Sequence, residues 1–93
     1  MDNEISIPQE IREKYLMRRQ KDIEVLKASV ASRELEEFKR IGHQLKGNAA
    51  SFGYGDLEKI AIAMEAAAVS GDSFEAAKQL ELFEKWYSSQ SLS

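Results

Sequence analysis

His43 is the only histidine of the 93-residue chain, and its neighbours could support nucleophilic chemistry. Neutral imidazole is a competent nucleophile near pH 7. Lys46 follows three residues later, a spacing at which two side chains are neighbours on the surface of a helix. A phosphoryl group attached to the imidazole would therefore meet the ammonium of Lys46, which would offset part of its negative charge.

The charge around His43 contrasts with the charge of the whole chain. Thirteen Lys and Arg residues against sixteen Asp and Glu residues give a net charge of −3. Three basic residues nevertheless collect around His43, namely Lys39, Arg40 and Lys46. Glu36 is the nearby acidic residue. Two interpretations stay open: an ordinary solvated helix face in which Glu36 pairs with Arg40, or a site for an anion.

The segment that carries His43 has the period of an amphipathic helix, since apolar residues recur every three or four positions. At 100° per residue, His43 lies about 160° from Leu45, the centre of the apolar stripe, and points to solvent. Gly47 and Ala50 share this outward face, although glycine inside a helix costs about 1 kcal/mol relative to alanine. These small residues leave room for another protein beside the imidazole. Gly42 faces the core and is expected to allow close helix packing.

Four segments of helical period account for most of the chain, with few turn residues between them. The sequence predicts an all-α fold, an antiparallel up-down-up-down four-helix bundle in which residues 1–93 form one domain. The first helix is expected to begin at Ser6–Pro8 and to end near Ala31, with a kink or break allowed near residues 18–22. Its apolar stripe consists of Ile11, Tyr15, Leu16, Ile23, Leu26 and Val30.

Polar residues and glycines indicate where the helices begin and end. Ser32 is expected to cap the second helix, and Gly53 to end it in a left-handed conformation. Asp56 is expected to cap the third helix. Asp72, with Glu75 three residues later, resembles a capping box at the start of the fourth.

The composition argues against several classes of function. Cysteine is absent and there is one histidine, which excludes a disulfide scaffold, a thiolate metal site and a zinc site of several imidazoles. An acidic chain lacks the broad basic surface that nucleic-acid binding needs. No run of about 18 apolar residues suggests a membrane span, and the first ten residues lack the apolar region of a signal peptide. The expected location is the cytoplasm.

One segment, HQLKGNAASFG at residues 43–53, resembles the signature of histidine-containing phosphotransfer (HPt) domains of bacterial two-component phosphorelays. In that family a histidine, an apolar residue two positions later and then Lys-Gly lie on one helix of a four-helix bundle. The resemblance covers most of the chain, because the length, the number of helices and the position of the motif all agree. Asn48 stands where the family often has a small hydroxyl residue.

The resemblance implies that His43 accepts a phosphoryl group, that Lys46 steadies it and that Gly47 gives a partner room. The implied partner is a receiver domain of a response regulator or hybrid histidine kinase, whose phosphoaspartate donates to His43 or whose aspartate accepts from it. The expected partner-binding residues are Lys39, Arg40, Gln44, Gly47 and Ala50. The chain is expected to be a monomeric carrier, not a kinase, because it lacks a Gly-rich phosphate loop. No cofactor is expected, and any Mg²⁺ should belong to the receiver.

Three alternatives stay open. A helical adaptor or dimerisation module would leave His43 inert and could use Trp86 and Tyr87 as a surface contact patch. The dimerisation helix pair of a histidine kinase fits less well, since the chain has four self-sufficient helices. A hydrolase is the weakest alternative, because no partner base is evident on the face of His43. Phosphate acceptance from a phosphorylated receiver distinguishes the carrier from the adaptor.

Overall fold

The computed structural model describes residues 7–90, which form four α-helices and no strand. The helices are α1, Gln9–Ser32; α2, Glu36–Ser51; α3, Gly55–Ser70; and α4, Ser73–Gln90. The predicted all-helical fold is confirmed. Within the described residues, every helix falls short of the length and apolarity that crossing a bilayer requires. The expected start of the first helix at Ser6 lies outside the described residues, and α1 follows directly after Pro8.

α1 runs without interruption through residues 18–22, where the sequence allows a break. Arg19, within this stretch, is buried, and its Nε donates to Oδ2 of Asp22 at 2.9 Å. Its guanidinium carbon also lies 4.3 Å from the centre of the Tyr15 ring. A buried charge is tolerated when it is paired. Arg19 therefore continues the packed face through the polar stretch, and the helix needs no break there.

The junction between α1 and α2 differs from the sequence prediction. α1 continues through Ser32, and the Arg33 that follows has a left-handed φ of 62° and caps the helix. The N–H of Glu34 donates to the carbonyl of Ser29 at 2.9 Å, which satisfies a carbonyl at the helix end. Ser32 is thus the last residue of α1 and does not cap α2, which begins after Leu35.

The other helix ends are closer to expectation. Gly53 adopts a φ of 82° at the end of α2, as predicted. The carboxylate of Asp72 accepts the N–H of Glu75 at 3.0 Å, which confirms one half of the predicted capping box. The other half is not formed, because the N–H of Asp72 donates to the carbonyl of Ala67 and the carboxylate of Glu75 accepts from Gln79. The predicted cap at Asp56 is wrong, because α3 begins directly after Tyr54. Asp56 lies instead in the first turn of α3, where the helix dipole still favours a carboxylate.

One hydrophobic core is shared by the four helices. Ile11 and Val30, which the sequence assigns to the stripe of α1, are exposed. α1 has 24 residues, about 36 Å at 1.5 Å per residue, whereas α2 and α3 have 16 each, so the ends of α1 have less to pack against. The largest fully buried side chains are Phe38, Phe83, Leu26, Ile41, Leu45, Leu57 and Met64.

α2 and α3 approach each other closely at Gly42. A methyl group at this position would lie 2.9 Å from the carbonyl oxygen of Ala61 and 2.9 Å from the backbone nitrogen of Glu65. A larger side chain therefore cannot fit unless the helices separate. Gly42 allows the close helix packing expected of it, and it brings the α3 backbone against α2 next to His43.

An aromatic cluster covers the end of the bundle where α2 leads into α3. Tyr15 stacks on Phe52 with ring centres 4.1 Å apart, and Tyr54 meets Trp86 edge-on at 5.0 Å. Trp86 is buried and belongs to the core, while Tyr87 is half-buried. The hypothesis that Trp86 forms a surface contact patch is wrong, because its ring closes the end of the bundle.

Candidate functional site

His43 lies in the middle of α2 and points to solvent. Its side chain is 69% exposed, whereas Ile41 and Leu45 on the same helix are buried. The outward direction predicted from the helical period is confirmed. An exposed imidazole on a rigid helix can be reached by another protein without any opening of the core.

A carboxylate from α3 contacts the imidazole. Oε2 of Glu65 lies 2.9 Å from Nδ1 of His43. Hydrogen bonds from Lys46 and His43 lower the pKa of the Glu65 carboxyl below its usual value, so the group is ionised at neutral pH. Because an ionised carboxylate only accepts, Nδ1 donates the proton of this hydrogen bond. A neutral ring that donates from Nδ1 keeps its lone pair on Nε2, which is then the nucleophilic atom.

Lys46 binds the same carboxylate. Its Nζ lies 2.6 Å from Oε1 of Glu65, whose side chain is 20% exposed. One carboxylate thus holds the imidazole through one oxygen and the ammonium through the other. We refer to these three side chains as the His43–Glu65–Lys46 cluster. A phosphoryl group on the imidazole would compete with Glu65 for the ammonium of Lys46.

Glu65 is the site residue that the sequence pattern does not single out. The prediction that no base accompanies His43 is wrong, because the base comes from α3 and not from α2. The sequence contains a signal for the close approach of the two helices, although not for Glu65 itself. Gly42 and Ala61 are small residues in neighbouring apolar stripes, which permits close helix packing, and Glu65 follows Ala61 by one turn.

Lys39 and Arg40 lie one turn before His43, and both are exposed. Arg40 donates from Nε and Nη2 to Oε1 of Glu37, with 2.8 Å for the Nε bond. The predicted pair of Arg40 with Glu36 is therefore replaced by a pair with Glu37. Within the described part of the chain, no carboxylate lies within ion-pair distance of Lys39. The free positive charge on this rim is mainly that of Lys39.

The turn of α2 that follows His43 has little side-chain bulk. A methyl group at Gly47 would meet no described atom of the protein within 4 Å apart from its own helix, and Ala50 and Gln44 are exposed. The surface beside the imidazole is therefore open, as the sequence predicts. Gly47 has no packing role, in contrast to Gly42 five residues earlier.

Asn48 faces α1 and not the imidazole. Its Oδ1 accepts a hydrogen bond from the hydroxyl of Tyr15 at 2.7 Å. Burial raises the pKa of the Tyr15 phenol, so the hydroxyl keeps the proton that it donates. Asn48, which stands where HPt domains often have a small hydroxyl residue, joins α2 to α1 through this hydrogen bond.

The groups available at the site are an imidazole, a carboxylate and an ammonium. Both oxygens of Glu65 are engaged, one by His43 and one by Lys46. Within residues 7–90, no group of three or more His, Asp or Glu side chains could hold a metal ion.

Comparison with known proteins identifies the family. The family model of the Hpt domain matches residues 10–88, which contain nearly all of the four helices and the whole His43–Glu65–Lys46 cluster. No curated protein and no solved structure matches the chain significantly. Hpt domains are the histidine phosphotransfer modules of phosphorelays. Because the match covers far more than half of the sequence, the chain belongs to the Hpt domain family.

Proposed function

We propose that the chain carries phosphoryl groups in a two-component phosphorelay and that His43 is the residue that accepts them. Membership of the family gives the class of reaction. One observation carries the choice of residue: the exposed imidazole of His43 donates from Nδ1 to the carboxylate of Glu65 at 2.9 Å. In the neutral ring this leaves Nε2 unprotonated and on the side of the ring away from Glu65, where a partner can reach it.

The transfer is a displacement at phosphorus. Nε2 of His43 attacks the phosphoryl group of a receiver phosphoaspartate, the N–P bond forms, and the bond from phosphorus to the aspartate oxygen breaks. The aspartate leaves as a carboxylate with the electron pair of that bond. The proton on Nδ1 stays on the ring, so the ring gains positive charge, which the adjacent carboxylate of Glu65 stabilises. The reverse displacement passes the group to a second receiver.

Lys46 acts after the phosphoryl group has arrived. In the unphosphorylated protein its ammonium is bound to Oε1 of Glu65 at 2.6 Å. A phosphoryl group brings about two negative charges next to it. The flexible side chain of Lys46 then turns from Glu65 to the phosphoryl oxygens, while Glu65 keeps its bond to Nδ1 of His43.

The partner is a receiver domain of a response regulator or hybrid kinase, which contacts the chain at five residues and brings its own Mg²⁺. The basic side chains of Lys39 and Arg40 complement the acidic pocket of the receiver. The chain acts as a cytoplasmic monomer, without a cofactor and without kinase activity of its own. The proposed contacts are Lys39, Arg40, Gln44, Gly47 and Ala50.

We also propose that helices adjacent in sequence run antiparallel. The connectors are short, at residues 33–35, 52–54 and 71–72. Connectors of this length join antiparallel neighbours, which supports an up-down-up-down bundle. In that arrangement α2 lies between α1 and α3, so the face that carries His43 is flanked by both helices.

Incubation with a phosphorylated receiver domain and Mg²⁺ tests the proposal. We expect an acid-labile phosphate on His43, located by mass spectrometry of peptides kept at alkaline pH. His43→Gln should lose the label completely and keep the helical circular dichroism spectrum, because the side chain is exposed. A Gln variant that is labelled as well as the wild type would contradict the proposal. Receiver binding without any label would favour the adaptor.

A further inference from the structure

The charged groups beside His43 on its own helix are cations, which oppose a positive charge on the ring. Lys39 and Arg40 precede the histidine by about one turn of α2, and Lys46 follows it by about one turn. The charge of Arg40 is offset by an ion pair within α2, and α1 packs against another face of the helix. Within the described residues, the carboxylate in ion-pair distance of the imidazole is that of Glu65. A force that favours a protonated ring must therefore come from α3.

The helix backbones hold Glu65 beside the ring. α3 packs directly on α2 at Gly42, where an added methyl group would lie 2.9 Å from the backbone nitrogen of Glu65. The Glu65 side chain is only 20% exposed, and its Oε2 lies 2.9 Å from Nδ1 of His43. Water therefore screens this carboxylate less than it screens a fully exposed one. The negative charge stays next to Nδ1 whether or not the ring carries a phosphoryl group.

Phosphorylation changes the partner of Lys46 but not the partner of the ring. In the free protein Nζ of Lys46 lies 2.6 Å from Oε1 of Glu65 and offsets part of the carboxylate charge. In the proposed mechanism this ammonium turns to the phosphoryl oxygens, which leaves Glu65 without its cation. The carboxylate then acts on the proton of Nδ1 alone. It should therefore favour the protonated ring more strongly in the phosphorylated protein than in the free protein.

The protonated ring is the form from which a phosphoryl group leaves most easily. When water attacks the phosphorus, the N–P bond breaks and Nε2 takes the electron pair of that bond. A ring that carries a proton on Nδ1 leaves as neutral imidazole, whereas an unprotonated ring would leave as an anion. The protons of the attacking water stay with the inorganic phosphate. A group that keeps the proton on Nδ1 therefore speeds the loss of phosphate from the histidine.

We propose that Glu65 sets the lifetime of the phosphohistidine, and shortens it at neutral and weakly alkaline pH, by keeping a proton on Nδ1 of His43. The chain then acts as a relay that passes phosphoryl groups on, and not as a store that holds them. The inference rests on the proposed phosphotransfer function and adds the lifetime of the carrier to it. Glu65 is a positioning residue in this step, because it contacts the ring and not the phosphoryl group.

The test measures how fast the phosphorylated protein loses phosphate to water, from weak acid to weak base. Wild type and Glu65→Gln are labelled with phosphoramidate, a small phosphoryl donor that needs no receiver, and the donor is removed by gel filtration. Glu58→Gln is the matched control, because Glu58 lies on the same face of α3 two turns earlier, about 10 Å along the helix axis. Phosphorus nuclear magnetic resonance follows the release of phosphate from His43. A second series in concentrated urea removes the contact between α2 and α3.

We expect wild type and Glu65→Gln to lose phosphate at similar rates in weak acid, where both rings are protonated. As the pH rises, the rate of the variant should fall first, because an amide has no charge to hold the proton on Nδ1. A neighbouring carboxylate extends the protonated range by about one pH unit, so in weak base the variant should keep its phosphate roughly tenfold longer. Glu58→Gln should follow the wild type, and all three proteins should behave alike in urea.

Three results would overturn the inference while phosphotransfer stands. The first is a pair of pH profiles for wild type and Glu65→Gln that superimpose. The second is a variant that loses phosphate faster than the wild type. The third is a difference that is the same at every pH or that persists in urea, since the charge of Glu65 would not be its cause. If neither phosphoramidate nor a phosphorylated receiver labels His43, the proposed function fails and this inference fails with it.

Discussion

α2 packs against its two neighbours by different means. Against α3 the contact is made by backbone, because a methyl group at Gly42 would lie 2.9 Å from the nitrogen of Glu65. Against α1 the contact is made by side chains, with the hydroxyl of Tyr15 donating to Asn48 at 2.7 Å. The first interface has no freedom to adjust, whereas the second can relax by moving side chains.

The difference shows which interface serves the chemistry. Glu65 reaches Nδ1 of His43 because the two helix backbones nearly touch at Gly42, the residue that precedes His43. The contact of Tyr15 with Asn48 lies on another face of α2 and does not reach the imidazole. Changes at the α2–α3 boundary should therefore affect both stability and transfer, and changes at the α1–α2 boundary should affect stability alone.

The largest effect is expected from Gly42→Ala. The added methyl group would force α2 and α3 apart, and overpacking of this kind costs about 1–3 kcal/mol, partly offset by the better helix propensity of alanine. Moving Glu65 away from His43 should also slow phosphotransfer strongly. Urea unfolding and transfer from a receiver measure the two effects. A variant that is more stable and fully active would show that the helices do not need this close approach.

A smaller effect on transfer, with little effect on the fold, is expected from Glu65→Gln. The amide oxygen can still accept from Nδ1 of His43, but the negative charge that stabilises the ring during transfer is lost. We expect a rate roughly tenfold lower, since charge-assisted hydrogen bonds are about twice as strong as neutral ones. Glu58→Gln, on the same helix, is the matched control and should transfer at the wild-type rate. An unchanged rate in Glu65→Gln would remove Glu65 from the mechanism.

The pH dependence of stability provides a second measurement on the same variant. Hydrogen bonds from Lys46 and His43 lower the pKa of Glu65 in the folded protein below its usual value of 4.5. Such a group stabilises the fold above the pKa of the unfolded chain, and this contribution disappears as the pH falls through the folded pKa. Urea unfolding of the wild type and of Glu65→Gln should therefore differ at pH 7 and converge in strong acid. A difference independent of pH would contradict the ion pair.

Gly47→Ala should behave in the opposite way to Gly42→Ala. A methyl group there has free space, so the substitution should stabilise the protein by about 0.4–1 kcal/mol. Transfer should nevertheless slow, because the methyl group stands where the receiver approaches. Thermal unfolding and the transfer rate should move in opposite directions. A loss of both would assign Gly47 to packing.

The smallest effect on transfer is expected from Tyr15→Phe. It removes the hydroxyl that donates to Asn48 and should cost about 0.5–1.5 kcal/mol of the free energy of unfolding. The transfer rate should stay at the wild-type value, because the bond lies on the α1 side of α2. A slower rate would mean that the two interfaces of α2 are coupled.

Features that depend on one helix alone could be predicted from the sequence. The helical period places His43 outward and Gly42 inward, since both directions depend only on the angle between residues of the same helix. Glu65 was not accessible in this way, because its distance to His43 depends on how α3 is positioned along α2, and periodicity carries no information about that. A small residue such as Gly42 reveals a close approach but not its partner.

The apolar period also does not predict which charged residues are buried or where a helix ends. Arginine side chains are usually exposed to solvent, but the neighbouring Asp22 and the ring of Tyr15 allow Arg19 to be buried. Ser32 has the chemistry of an N-cap, yet α1 extends through it because Arg33 adopts the left-handed conformation that closes the helix. In both cases tertiary contacts or a local backbone conformation outweighed the ordinary preference of the residue type.

Nuclear magnetic resonance of the ring nitrogens tests the central claim most directly. Because His43 is the only histidine, protein labelled with ¹⁵N-histidine gives the signals of a single imidazole. At neutral pH we expect the proton on Nδ1, held by Glu65, and an unprotonated Nε2. After transfer from a phosphorylated receiver we expect the coupling to phosphorus at Nε2, with Nδ1 still protonated. Phosphorus on Nδ1, or a neutral ring protonated at Nε2 before transfer, would contradict the account.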